Sequence, residues 1–553
     1  MPADVGMIGI DARVATSAAP RSRSRALALG VALAFLLVGG QLVRLALQHE
    51  GQGTIRVSMM STPSSTLARP DIVDRNGRLL ATDVQMPSLY ADPLLIQDAD
   101  EAAERLARLF PDLDVRELRR GLADKSKRFV WIRRALSPGT AQRVHNLGIP
   151  GLAFVDEIRR TYPTGRLGGH ILGRVDIDNR GTSGIERHID DIGASEAAHG
   201  ARLSARAPVR LSLDLGVMHA LDDELKGAMV RYEATGAAGV VMDVRTGEVV
   251  AAVSRPGANP ASAEEALDPA RIDKVVAGTY ELGSIMKLVT VAMALDTGKT
   301  LDSLVDTTEP LKAGRFTIED LHPIGRPMSV AEVFIHSSNV GAGQLALSAG
   351  AEAQKAFFEQ LGLWAPVKTE VSSGIDPLKP AQIGRIEQIT LSFGHGLAVT
   401  PLQFAAASAA LINGGTVISP TFLVRDEAAV SSAGARVVSA QTSALLREVM
   451  RRNVTDASGT GRRADVAGFE VGGKTGTAEM AVKGGYRKKS VIASFLGTFP
   501  MSDPRYVTLV LLFEPKGQES TGGEITAGRN AAPTTARLIE RIAPLLYVAP
   551  KKS

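Results

Sequence analysis

Between Gly239 and Val253 the chain reads Gly-Val-Val-Met-Asp-Val-Arg-Thr-Gly-Glu-Val-Val-Ala-Ala-Val, two strongly apolar arms around a turn containing Gly247. Arms so rich in β-branched residues cannot stay in water, so they form a hairpin inside a core. The same signal returns at Tyr506–Phe513, a run of apolar residues broken only by Thr508. Between them lie helical stretches from Ser284 to Leu295, around 340–360 and around 400–412, and a last helix is expected within Ala532–Leu545. Strands, a block of helices and further strands predict an α+β fold, an antiparallel sheet with helices packed on it, over residues 226–553.

At 553 residues the chain has room for more than this domain. Residues 1–25 are polar, with Arg13, Arg21, Arg23 and Arg25, and read as a cytoplasmic tail. From Ala26 to Val43 the chain is apolar apart from Gln41, long enough for the lower end of membrane spans, and no small-residue cleavage site follows. We therefore expect an uncleaved transmembrane anchor over 26–47. The arginines before it outnumber those just after it, which puts the rest of the chain outside the cytoplasm. Residues 48–225 carry a hairpin signal at Asn76-Gly77, short helices between Asp98 and Leu122, and turns at Tyr162-Pro163-Thr164-Gly165 and Asn179-Arg180-Gly181. No catalytic cluster occurs there, so a mixed α/β module that spaces or docks something is expected.

Composition removes several classes of function. The 63 basic and 59 acidic residues leave a formal charge of only +4, with no basic run interleaved with aromatics, which argues against nucleic-acid binding. With no cysteine, disulfides, thiolate metal sites and cysteine nucleophiles are excluded. The nine histidines form no pair at metal-ligand spacing, and no Gly-x-Ser-x-Gly elbow frames a serine. His395 in Gly394-His395-Gly396 could line a site or simply fill a turn.

Three short stretches carry chemistry. Ser284-Ile285-Met286-Lys287 places a serine and a lysine on one helical face, a spacing that lets lysine take the proton of a serine nucleophile. The same pair also occurs on many helices without function. Ser337-Ser338-Asn339 offers a hydroxyl relay and a carboxamide arm, or else a helix N-cap. Lys474-Thr475-Gly476-Thr477 fits, counted from Gly468, the pattern of a phosphate-binding loop. That loop needs a buried strand before it and a helix after it. Residues 462–467 are too polar for the strand, and Gly484-Gly485 ends any helix, so a strand through Lys474, a turn and a returning strand are expected instead.

The ordered set Ser284-x-x-Lys287, Ser337-x-Asn339, Lys474-Thr475-Gly476 resembles the penicillin-recognising serine enzymes. The stretch Arg69 to Gly77, Gly181-x-x-Gly184-Ile185-Glu186 and the single anchor are similar to the class B penicillin-binding proteins. Ser337-Ser338-Asn339-Val340-Gly341 and Ser392-Phe393-Gly394-His395-Gly396 through Gln403 resemble the septal type within that class. Leu282 stands where the family usually has proline, and His395 where many members have tyrosine. The resemblance implies a penicillin-binding fold with helices on both sides of its sheet, and a pedestal role for 48–225. It implies D,D-transpeptidation of peptidoglycan stem peptides in septal wall during cell division, inhibited by β-lactams, with no cofactor and no metal. Ser284 would be the nucleophile and Lys287 its base. Ser337 would relay a proton, and Asn339 would hold the substrate amide. Lys474, Thr475 and Thr477 would receive the substrate carboxylate, while Gly476 would let the strand approach it. The backbone N–H groups of Ser284 and Thr477 would form the oxyanion hole. Implied partners are nascent glycan strands, a septal glycosyltransferase of the SEDS type (FtsW-like) and other division proteins, at the bacterial inner membrane with the catalytic domain periplasmic.

Three rivals remain in view: a β-lactamase, an elongation-type transpeptidase and a silent β-lactam sensor or division scaffold. No Glu-x-x-x-Asn at a plausible loop position supplies a deacylating base, the Arg174–Gly184 segment is short for the elongation type, and the tail is too short for a signalling domain.

Overall fold

In the computed structural model, which describes residues 32–41, 69–198, 207–426, 434–482 and 485–551, the Asn76-Gly77 turn joins β1 (Ile72–Val73) to β2 (Leu79–Ala91). The Asp74 carboxylate accepts from the N–H groups of Asn76 and Arg78 at 2.9 and 2.8 Å, and Gly77 takes φ +82°, where glycine meets no Cβ clash. The short helices expected between Asp98 and Leu122 are α1 (Ala99–Leu109) and α2 (Val115–Ala123). Each starts on an aspartate, Asp98 and Asp114, whose side chain accepts two backbone N–H groups of the first turn. β3 (Val130–Arg133) and β4 (Leu152–Thr161) both pair antiparallel with β2. Under them Leu89, Leu106, Leu122 and Ile132 belong to a core separate from that of the larger domain.

The Gly181 to Glu186 stretch leads into α3 (Gly184–Ala198), and its Glu186 is the centre of a buried ion network. Glu186 accepts from Arg69 Nε at 2.9 Å and from Arg160 Nε at 2.7 Å; Arg160 also reaches Asp83 at 3.2 Å, and Arg69 reaches Asp190 at 2.6 Å. Arg69, Arg160 and Glu186 come from three distant segments, so this network fixes how those segments cross. The hairpin tip meets the next domain through Arg75 and Glu248 at 2.7 Å and Asn76 and Asp214 at 2.7 Å.

β5 (Val209–Arg210) pairs parallel with β1, and α4 (Leu215–Arg231) follows on the cap Asp214. The boundary expected between residues 225 and 226 falls inside α4. This helix packs against the sheet, with Leu221 filling the space where a Cβ of Gly239 would lie, 2.7 Å from its Cδ1. The apolar hairpin forms as expected, β6 (Gly236–Asp243) and β7 (Val249–Arg255). After it come α5 (Lys287–Asp296), α6 (Asn339–Ala349), α7 (Pro401–Ile412) and α8 (Ala440–Thr455). β8 (Gly472–Val482), β9 (Gly485–Phe499), β10 (Tyr506–Phe513) and α9 (Ala531–Leu545) complete the domain.

The sheet order is β8-β9-β10-β6-β7 with every pair antiparallel. All eight residues of β6 and all eight of β10 are buried. Because successive side chains point to opposite faces, this burial requires cover on both sides. α4 and α9, packed on each other, form one layer, and α5, α7 and α8 form the other. The strand expected through Lys474 is thus an edge strand, paired on one side with β9 at Lys474↔Leu496 and open on the other.

Residues 32–41 are helical, and among the described residues no helix is long and apolar enough to cross a membrane. The tail 1–25 and both ends of the span expected over 26–47 lie outside the described residues.

Removing Glu186 would leave two buried guanidinium groups without their shared carboxylate. Glu186→Ala should lower unfolding stability by ~3–5 kcal/mol in urea titration. Asp190→Ala, at a partly exposed pair, should lower it by less than about 1 kcal/mol. Equal losses from the two would contradict the central place given to Glu186.

Candidate active site

Ser284 lies on a 3-10 turn, Gly283–Met286, that runs directly into α5 at Lys287. The sequence reading expected helix from Ser284 onward; the α-helix begins three residues later. The turn is pressed against β8. Gly283 has φ +60°, and a Cβ there would lie 2.9 Å from the carbonyl oxygen of Thr477. A Cβ on Gly476 would lie 2.4 Å from the Leu282 carbonyl oxygen and 2.5 Å from Ser494 Oγ. Only glycine permits that approach, which sets the backbones at Ser284 and Thr477 on either side of one contact. Leu282, at φ −100°, lies outside the φ near −65° that proline would impose, and its side chain is buried.

Lys287 is fully buried and its Nζ is the hub of the site. It lies 2.9 Å from Ser284 Oγ, 2.7 Å from the Ser337 carbonyl oxygen, 3.1 Å from Ser337 Oγ and 2.7 Å from Asn339 Oδ1. Burial, and then the charge of Lys474, hold its pKa well below that of an ordinary lysine, against the opposing pull of Asp320. A neutral amine has two N–H groups and one lone pair. The Ser337 carbonyl and Asn339 Oδ1 can only accept, and being the nearest partners they take both N–H groups. The lone pair is then left for a hydroxyl, so Ser284 O–H can donate to Nζ. That is the arrangement of a serine nucleophile with its base already in contact.

Ser337 reaches Lys287 with both its carbonyl and its hydroxyl because its backbone is left-handed, at φ +61°. The helix-cap use of this stretch is also realised, by the residue between the two that face the site. Ser338 caps α6, accepting from the Gly341 N–H at 2.8 Å. Its hydroxyl donates to Asp320 at 2.6 Å, and Asp320 also accepts the N–H groups of Asn339 at 2.5 Å and Val340 at 2.9 Å. Asp320 therefore holds the whole Ser337 to Asn339 segment in place. Sequence reasoning missed it, since it lies in a polar loop with no periodic relation to the residues it binds.

Lys474 is also fully buried, and burial brings its pKa down to about 7. It forms no ion pair among the described residues, and its Nζ lies 5.6 Å from the centroid of Phe334. The two threonines beside it differ. Thr477 Oγ accepts from the Ala527 N–H at 3.2 Å, which leaves its proton to offer. Thr475 Oγ donates to Thr460 Oγ at 2.9 Å, so its proton is engaged, which alters the expectation that both hydroxyls stand ready for a carboxylate. His395 is half-buried with its ring 5.4 Å from Phe393, whose ring is 6.0 Å from Lys287 Nζ. Burial lowers its pKa, against the opposing pull of Glu281.

Comparison with known proteins adds the following. Residues 237–539 match the family model of the penicillin-binding protein transpeptidase domain, and residues 65–192 match that of the penicillin-binding protein dimerisation domain. The chain is 40% identical over 493 residues to "Probable peptidoglycan D,D-transpeptidase FtsI" of Caulobacter vibrioides, covering 88% of this chain and 82% of that one. It is 29% identical to "Peptidoglycan D,D-transpeptidase FtsI" of Escherichia coli strain K12, covering 86% and 83%. The structure is similar to the apo transpeptidase domain of Burkholderia pseudomallei penicillin-binding protein 3, with a TM-score of 0.55, 31% identity, and coverage of 62% of this chain and 98% of that one.

Asp320 carries the negative charge that raises the Lys287 pKa. Asp320→Asn removes the charge, so Lys287 should lose its proton at lower pH. The rising limb of a pH–rate profile for acylation of Ser284 should then move toward acid. An unmoved limb, or a shift toward alkali, would contradict the electrostatic link.

Proposed function

The chain belongs to the class B penicillin-binding proteins, and on that premise we propose that it is a peptidoglycan D,D-transpeptidase of the septal, FtsI type. The observation that carries the reading is the contact of one buried, depressed lysine with both Ser284 Oγ and Ser337 Oγ.

In this mechanism Ser284 attacks the carbonyl between the two terminal D-alanines of a stem peptide while its proton passes to Lys287 Nζ. The tetrahedral oxyanion is received by the backbone N–H groups of Ser284 and Thr477; a donor of this kind is worth about 10²–10³ in rate. Collapse breaks the C–N bond, and the proton on Lys287 reaches the leaving amine through Ser337 Oγ, so D-alanine departs as a neutral amine. An amine of a second stem peptide then attacks the ester. The C–O bond to Ser284 breaks, and the amine's proton returns to Ser284 by the same route. Asn339 Oδ1 accepts from Lys287, and Nδ2, which donates one N–H to the Glu319 carbonyl at 3.4 Å, keeps the other for a substrate carbonyl.

The donor carboxylate lies against Thr477 and Lys474. With its pKa at about 7, Lys474 is only partly protonated near neutrality, and an incoming carboxylate favours its charged form. That charge in turn presses Lys287 toward the neutral base, so carboxylate binding readies the nucleophile. Anchorage of 26–47 in the cytoplasmic membrane, with 48–225 as a pedestal and the catalytic domain outside, accounts for the apolar stretch and for the arginines preceding it. β-Lactams, glycan strands, a SEDS-type glycosyltransferase and division proteins are the partners this reading names.

Purified protein should take one benzylpenicillin on Ser284, seen as the adduct mass by intact-protein mass spectrometry and absent from Ser284→Ala. Lys287→Met should fold and acylate about 10²–10⁴-fold more slowly. A folded wild-type chain that stays unmodified overturns the reading. Depletion in cells should produce filaments lacking septal cross-links, whereas rounded cells would indicate an elongation role.

A further inference from the structure

Behind the strand that carries Lys474 runs a chain of three polar side chains that the mechanism above does not use. Asn453 on α8 is fully buried. Its Nδ2 donates to the Gly473 carbonyl at 2.8 Å, and its Oδ1 accepts from the Thr460 N–H at 3.2 Å and from Thr460 Oγ at 3.1 Å. With Nδ2 on a carbonyl and Oδ1 on an amide N–H, the carboxamide can point only one way. Thr460 Oγ therefore donates toward Asn453 and accepts from Thr475 Oγ at 2.9 Å. In this state Thr475 has no proton for a substrate.

The order is reversible at little cost. If the Thr460 hydroxyl turns from Asn453 Oδ1 to Thr475 Oγ, Oδ1 still holds the Thr460 N–H, so no buried acceptor is left unsatisfied. Thr475 is then an acceptor toward Thr460 and its own O–H is free to swing outward. The other threonine is braced from an adjoining loop: Ala527 N–H binds Thr477 Oγ, and the neighbouring Gly528 packs so near Thr460 that a Cβ there would lie 2.9 Å from the Thr460 carbonyl oxygen.

We infer that Thr460, held by Asn453, is a positioning residue for carboxylate recognition, switching Thr475 from a donor toward Thr460 at rest to a second hydroxyl donor toward the ligand when an anionic substrate binds beside Thr477. The inference rests on the transpeptidase reading and deepens it. Thr460 touches no reacting atom. It acts by supplying a proton behind Thr475, so that both threonine hydroxyls can face a carboxylate while the hydrogen bonds around Asn453 stay complete.

The test compares acylation rate constants of the full chain with benzylpenicillin and with its methyl ester, whose carboxylate is masked. Thr460→Val keeps the shape and the backbone N–H but lacks the hydroxyl. It should lose about five-fold with the acid, the worth of one net hydrogen bond, and nothing with the ester. Thr460→Ser should restore the rate with the acid, and the pH profile should be the same in all three proteins. Equal loss on acid and ester would make Thr460 merely structural, and no loss on either would remove it from recognition; both overturn the inference. A wild-type chain that the acid does not acylate overturns the transpeptidase reading itself, a separate result.

Discussion

A lysine ammonium in a protein interior needs a carboxylate or it gives up its proton, and Lys287 has around it two hydroxyls, a carbonyl and a carboxamide oxygen. The site depends on that burial. The turn that leads into Lys287 is seated by close backbone approaches at glycine. Gly476 lets β8 lie on Leu282, Gly283 lets the nucleophile's turn lie on Thr477, and Gly394 lies so near the Gly283 carbonyl that a Cβ would be 2.2 Å from it. These approaches bring the turn that carries Ser284 and leads into Lys287 against β8 and the Gly394 loop, and among the described residues no carboxylate oxygen is a hydrogen-bond partner of Lys287. Asp320, the carboxylate that does bear on Lys287, spends its oxygens on Ser338, Asn339 and Val340. The loop is thereby held while the lysine keeps its low pKa.

The second lysine is depressed by the same means and has a different use. Lys474 sits on an open sheet edge, where a substrate can reach the strand, and its charge is a function of what binds there. The charge of Lys474 is one of the causes that hold the Lys287 pKa down, so an anion that favours the charged form of Lys474 also presses on Lys287. In the proposed mechanism this couples the donor end of the substrate to Lys287 through space, with no moving part. In the N-terminal part of the described chain charge is arranged differently: Glu186 pairs with two buried arginines from distant segments, and geometry is what the network supplies.

Much of the fold could be read in the chain. Alternation and apolar runs place β6, β7 and β10, and Lys474 lies in an antiparallel strand pair, not a phosphate loop, as expected; part of the turn expected near Gly484-Gly485 lies outside the described residues. The short helices between Asp98 and Leu122 were legible in outline, whereas their caps, Asp98 and Asp114, emerge with the structure. The Ser337 to Asn339 stretch could be taken as a cap or as chemistry; Ser338 caps the helix while Ser337 and Asn339 reach Lys287, since three consecutive residues on a helix entry point in different directions.

What the sequence alone determined is which chemical groups are present and in what order: a serine and lysine one turn apart, a hydroxyl and amide pair, a Lys-Thr-Gly-Thr strand, and apolar segments that demand a covered sheet. Local spacing is enough for these, because helix and strand periods relate residues a few positions apart. Tertiary structure alone decided that the Lys287 pKa is held well below that of an ordinary lysine, that Asp320 holds the Ser337 loop, and that Thr475 and Thr477 start with opposite hydrogen-bond polarity. Each of these rests on desolvation or on a partner far away in the chain, Lys474, Asp320, Thr460 or Ala527, and no local period carries information about a contact that only the folded layers create.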